Sequence, residues 1–169
     1  MRYMTRRFKN LKLALKELQP FVNGRHLLSG RGFKQFHGML PREMLANWLV
    51  CAAYNFDQGA RLTFCSDPIG GDGIIVDTKV GKTWPTEHVI VPPTSGSDAD
   101  DIETRILKAI ERKRKKGRAA YASGKTLVVF LEGANGPWHP NKVAKRLPDP
   151  LHFEIVWTAG LQRIEAGEH

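Results

Sequence analysis

Apolar positions repeat along this chain with two different periods. Phe8, Leu11, Leu15 and Leu18 recur at three- and four-residue steps, which predicts a short amphipathic helix over 5–18, ended by Pro20. Residues 20–40 scatter Gly24, Gly30, Gly32 and Gly38 among basic side chains and read as loop or linker. Pro41 suits the first turn of a helix, and 41–54 is apolar almost all round, as a buried helix is. Asn55, Asp57 and Gly59 close it. The period then shortens to that of strands. Arg61–Cys65 alternates and stops at Ser66-Asp67-Pro68, Gly73–Asp77 is β-branched, and Thr86–Val91 ends at Pro92-Pro93.

The helical period returns at about residue 99 and predicts one helix to 122. Ile102, Ile106, Ala109, Ile110 and Gly117 mark its inner side, and the loop before it offers a cap. Acids at its start (Asp100, Asp101, Glu103) and bases later (Arg112 to Lys116, Arg118) suit the helix macrodipole. Lys125–Leu131 is a continuous apolar strand of the kind found at the centre of a sheet. Residues 133–150 are turn-rich, with a helical turn near 140–146, and His152–Trp157 is a last strand. There is no internal repeat. The expected class is α/β, of the α+β type, with a mixed sheet. Its core order is α-β-β-β-α-β, with helices flanking the central sheet. Residues 1–40 form a basic N-terminal helix and linker, and 41–169 form the α/β domain.

Composition adds little until charge is placed along the chain. The 169 residues are 41% hydrophobic and 25% charged, ordinary for a domain with a real core. No apolar run is long enough to span a membrane and no secretory leader is evident, so a cytoplasmic protein is expected. Cys51 and Cys65 sit in apolar segments and read as buried thiols. Without a CxxC or HxxxH spacing they do not make a zinc site. The net charge of +9 is uneven: residues 1–40 carry nine basic side chains against the single acid Glu17, and the rest is nearly neutral. A concentrated basic segment beside a neutral domain points to a polyanion, most simply nucleic acid; the alternative is an arm that keeps the protein soluble or binds an acidic protein. No membrane partner is expected, and a homodimer is left open.

The candidate chemistry lies between the second and third strands. Gly70-Gly71-Asp72-Gly73 is followed fifteen residues on by Glu87. Alternation puts Asp72, Ile74 and Val76 on one face, and Glu87, Val89 and Val91 on one face, with His88 opposite. If the strands pair as a hairpin, the two carboxylates converge near one end. Two such groups repel unless a cation lies between them, and hard oxygen ligands favour Mg²⁺, Mn²⁺ or Ca²⁺. The other reading is a tight glycine turn flanked by polar strand ends.

The order of elements over 41–131 resembles the core of the PD-(D/E)XK nuclease-like, or restriction-endonuclease-like, superfamily. Asp72 before Ile74-Ile75-Val76 matches the first acid of its motif, and Glu87 in Glu87-His88-Val89 matches the second. Glu43, early in the first core helix, matches a further acid that many members carry there. The resemblance implies a Mg²⁺- or Mn²⁺-dependent phosphodiesterase acting on DNA or RNA, with Asp72, Glu87 and Glu43 at the metal. The sequence departs from the motif at Val89, where a lysine belongs. That lysine would help activate water and stabilise charge on the phosphate. Lys113 is the best replacement, because it falls three and seven residues after Ile110 and Ile106, and Lys108 is a weaker one. The departure also admits a non-catalytic nucleic-acid-binding or protein-interaction module on the same fold.

Other motifs change nothing. Gly81-Lys82-Thr83 and Gly124-Lys125-Thr126 lack the first glycine of a phosphate-binding loop, having Val76 and Ala119 there. Trp84, Trp138 and Trp157 read as packing residues before base-stacking ones. His139, Asn141 and Lys142 follow Trp138 in a loop and carry no sharper signal. Asp98, Asp100 and Asp101 suit a helix start and lack the spacing of a calcium loop.

Overall fold

A computed structural model of the chain describes residues 31–32, 38–59, 61–92, 100–131 and 138–160. The helix expected over 5–18 lies outside the described residues. The first described helix, α1 (Pro41–Gln58), starts as its sequence suggests and runs four residues beyond Tyr54. Proline stands in its first turn, the Glu43 carboxylate accepts from the Leu40 N–H at 2.8 Å, and Gly59 stops it at φ 56°. Then come β1 (Leu62–Cys65), β2 (Gly73–Asp77) and β3 (Thr83–Val91). β3 begins three residues earlier than its apolar run.

The helix expected over 99–122 is two helices. α2 (Ile102–Lys115) is capped by Asp101, whose carboxylate accepts from Thr104 N at 2.6 Å. Gly117 breaks the helical path, with φ −162° and ψ 13°, and α3 (Arg118–Ala122) follows it. Gly117, expected on the inner side of one long helix, is thus the break between two. β4 (Thr126–Leu131), α4 (Pro140–Lys145) and β5 (Ile155–Gly160) complete the order. β5 lies three residues later than the sequence pattern places it. His152, expected inside that strand, has φ 71°, which no strand residue adopts.

The architecture is an α+β fold with one five-stranded mixed sheet, order β1-β2-β3-β4-β5. β1, β2 and β3 form an antiparallel meander, and β3, β4 and β5 run parallel. The parallel half requires a crossover, which α2 and α3 supply between β3 and β4. Period-two alternation then divides the core. Val128 and Phe130 pack under α1 with Met44, Leu45 and Val50. Leu127 and Val129 face the other way, with Val89, Val91, Ile106 and Ile110 beneath α2. Burying each such side chain contributes roughly 1.5–3 kcal/mol. Cys51 and Cys65 are buried, and the three tryptophans pack against the core as expected. No described helix is long and apolar enough to cross a membrane.

Candidate functional site

The site forms where β2 stops and β3 continues. The last pair of their ladder is Gly73 with Thr86, and beyond it β3 runs on to Val91 without β2 beside it. Asp72 N donates to Thr86 O at 3.3 Å. The next N–H of β3 pointing that way belongs to His88, and Asp72 Oδ2 accepts it at 2.6 Å. Asp72 thus satisfies the first backbone N–H of β3 that the ladder leaves open.

The turn before Asp72 is built to present it. Asp67 accepts from Ile69 N at 2.8 Å through Oδ1 and from Gly71 N at 3.2 Å through Oδ2. This side-chain-to-backbone turn brings the chain from β1 into β2. Behind it, the fully buried Asn47 of α1 donates to Asp72 O at 3.3 Å and accepts from Thr86 Oγ1 at 2.9 Å. The approach needs glycine at position 73: a Cβ there would lie 2.4 Å from Asn47 Nδ2, and φ is 153°.

Glu87 lies on the α2 face of the sheet, and both its oxygens are held. Lys125 Nζ donates to Oε1 at 2.8 Å. Lys113 Nζ donates to Oε2 at 3.1 Å, and the Tyr121 hydroxyl donates to the same oxygen. Lys113 Nζ also stands 3.7 Å from Asp72 Oδ2, so one ammonium touches both carboxylates. Asp72, Glu87 and Lys113 therefore come together as the sequence expects. Lys108 does not join them; it is exposed and paired with Asp100.

Charges account for the ionisation of the group. Burial pushes the Asp72 carboxyl up, but the His88 side chain and N–H together with Lys113 outweigh it and hold it at about 2. Burial also pushes Glu87 up, and the hydrogen bonds from Lys125 and Tyr121 bring it below its ordinary value, with Asp72 opposing and Lys113 assisting. Tyr121 is raised, first by burial and then by Glu87. Glu43 is raised by burial. Its Oε2 accepts from Leu40 N at 2.8 Å, so its carboxylate serves the start of α1. Among the described residues no group of three or more His, Cys, Asp and Glu side chains is gathered closely enough to hold a metal. A divalent centre here would have only Asp72 and Glu87 to rest on. That donor set suits Mg²⁺, which keeps several waters and takes one or two carboxylates.

Three residues of the site carry no sequence signal that singles them out. Tyr121 and Lys125 lie beyond the break at Gly117. His88, whose side chain alternates away from Glu87, takes part through its backbone N–H and through a ring nitrogen beside Asp72. Its ring points under α1, is almost fully buried, and has no hydrogen-bond partner at either nitrogen among the described residues. The nearer nitrogen, Nδ1, lies 3.5 Å from Asp72 Oδ2. No family model, curated protein or solved structure matches the chain.

Proposed function

We propose that the Asp72–Glu87–Lys113 cluster is the centre of a metal-dependent phosphodiesterase of the nuclease type, acting on DNA or RNA. The observation that carries this reading is the position of Lys113. The sequence lacks a lysine at 89, yet a lysine from α2 reaches both acids at 3.1 and 3.7 Å. Lys113 would thus supply, from a different element, the positive charge that the nuclease-like motif places at 89. The resemblance in the order of elements is its second support.

Asp72 and Glu87, with Mg²⁺ or Mn²⁺ between them, would place positive charge on a phosphate oxygen and acidify a water. Asp72 is anchored by Asn47 and by the His88 N–H, which fixes one carboxylate. Lys113 would orient the attacking water and stabilise charge developing on the phosphate. Nucleic acid as the partner is supported by the basic outer surface of α2. An open cleft of about 510 Å³ there is lined by Lys108, Arg112, Lys115 and Arg146, with Glu111 the one acid. Such groups contact phosphates without reading bases.

A second reading has its own observation. Both oxygens of Glu87 are satisfied by Lys125, Lys113 and Tyr121, so the cluster is charge-balanced without a cation. A binding module on the same fold would need nothing more. One experiment separates the two. The protein is incubated with plasmid and single-stranded substrates and Mg²⁺ or Mn²⁺, beside Asp72→Ala and Glu87→Ala. Cleavage by the parent and none by either variant is expected. Cleavage that both variants retain removes the site assignment, and salt-sensitive binding without cleavage favours the module.

A further inference from the structure

Lys125 enters the cluster from a backbone position that is fixed on both sides. Its N–H donates to Ala122 O at 3.0 Å, and its carbonyl accepts from Glu154 N at 3.0 Å. Gly124, at φ 73°, turns the chain into this position just before β4. The parallel register of Thr86 with Thr126 then brings the residue before β4 alongside the start of the Glu87 segment. The ammonium is held from two directions. It donates to Glu87 Oε1 at 2.8 Å and stands 4.3 Å from the centre of the Tyr121 ring. Tyr121 in turn donates to the other oxygen of Glu87. The side chain is three-quarters buried, so water screens this pair weakly.

Glu87 accepts from three donors, two of them ammonium groups. Glu87 buried beside Asp72 would otherwise be two like charges in a poorly solvated place. Lys113 is shared between both acids, but Lys125 serves Glu87 alone among the described carboxylates. We infer that Lys125 is a positioning residue of the metal centre: the built-in counter-ion that holds Glu87 in the metal-free protein and must release it when a divalent cation binds. This rests on the metal-site reading above and deepens it. Cation uptake is then an exchange, with one ammonium leaving a carboxylate oxygen as a harder, doubly charged ion takes it. The displaced ammonium would stay tethered near Glu87 by its fixed backbone. The consequence has an unusual sign. Removing Lys125 must tighten cation binding, because a competitor for Glu87 goes and a repelling charge goes with it.

The test is titration of the full chain with Mn²⁺ alone, followed by calorimetry, for the parent, Lys125→Met, Lys125→Arg and Glu87→Gln. Circular dichroism melts establish that each variant is folded. Lys125→Met is expected to bind Mn²⁺ roughly tenfold more tightly or better. Lys125→Arg should stay near the parent, and Glu87→Gln should lose binding. Damage to the fold would weaken binding, so a gain is not a structural side effect. Binding by Lys125→Met but not by the parent also supports the exchange. Equal or weaker binding in folded Lys125→Met overturns the role of Lys125 and leaves the metal site standing. Absence of binding in both overturns the metal reading and this inference with it.

Discussion

Lys113 on α2 stands 3.1 Å from Glu87 on β3, across a gap of twenty-six residues in sequence. The crossover from β3 to β4 brings them together, because α2 packs on the face of the sheet that Glu87 shares with Val89 and Val91. Lys113→Met keeps the length of the side chain and removes its charge. Under the nuclease reading, turnover should fall by roughly a hundredfold or more, the size expected when a charge-stabilising donor is removed. Nucleic-acid affinity, measured by anisotropy with Ca²⁺ in place of Mg²⁺, should change by less than about threefold, because Lys113 is one phosphate partner among many. Full turnover in Lys113→Met would move the catalytic cation elsewhere, and Lys125 would be the place to look.

Much of this is legible in the chain. Ile106, Ile110 and Lys113 lie at three- and four-residue steps, so a lysine at the edge of the buried stripe has to reach the sheet face. Asp72 and Glu87 are legible because β-branched runs flank them at hairpin spacing. Tyr121 and Lys125 are not. A 3.6-residue pattern runs through Gly117 without marking that the helix breaks there, and only the break aims Tyr121 at Glu87. Lys125 is brought in by the pairing of β3 with β4, a long-range register that no local pattern encodes. His88 escapes for a different reason. Alternation describes side chains, and what His88 offers Asp72 first is its N–H.

Asp72 makes the fold sensitive to acid in a defined window. Its carboxyl is held at about 2, below the ordinary value of 3.8, despite burial that acts the other way. A depressed carboxyl stabilises the folded state at pH above the unfolded value and loses that contribution as pH falls through the folded one. The contribution should be present above about pH 4 and gone near pH 2, with a size of about 2 kcal/mol. Urea unfolding of the parent and Asp72→Asn in EDTA, from pH 2 to 7, reads it directly. The stability difference between the two proteins should shrink as pH drops through that window. A difference that is flat with pH would mean that Asp72 is not held ionised by His88 and Lys113.

The outer face of α2 should act on affinity without acting on chemistry. Arg112 and Lys115 line the cleft there, on the same helix as Lys113 but outside the cluster. Reversing both, in Arg112→Glu/Lys115→Glu, should weaken binding to any DNA or RNA sequence to a similar degree. The plot of log affinity against log salt should become shallower by about one unit for each phosphate that the face no longer neutralises. Turnover at saturating substrate should hold. An unchanged salt slope would show that the nucleic acid does not follow this face.

Asn47 joins stability to the geometry of the site, and the two can be separated. Fully buried on α1, it ties Asp72 O to Thr86 Oγ1, and so fixes the start of β2 against the segment carrying Glu87. Asn47→Ala leaves a part-buried carbonyl and a buried hydroxyl without that partner and opens a cavity. Together these should cost about 2–4 kcal/mol. Met44, also fully buried on α1, touches neither acid by any hydrogen bond, and Met44→Ala should cost a similar amount through packing alone. Denaturant melts should therefore place the two variants close together. Mn²⁺ titration should not: Asn47→Ala is expected to lose roughly tenfold in cation affinity, because the two carboxylates no longer share a fixed frame, while Met44→Ala keeps the parent value. Parent-like cation affinity in both variants would reduce Asn47 to an ordinary core residue. Equal losses would mean that the site responds to global stability, and that no particular hydrogen bond sets its geometry.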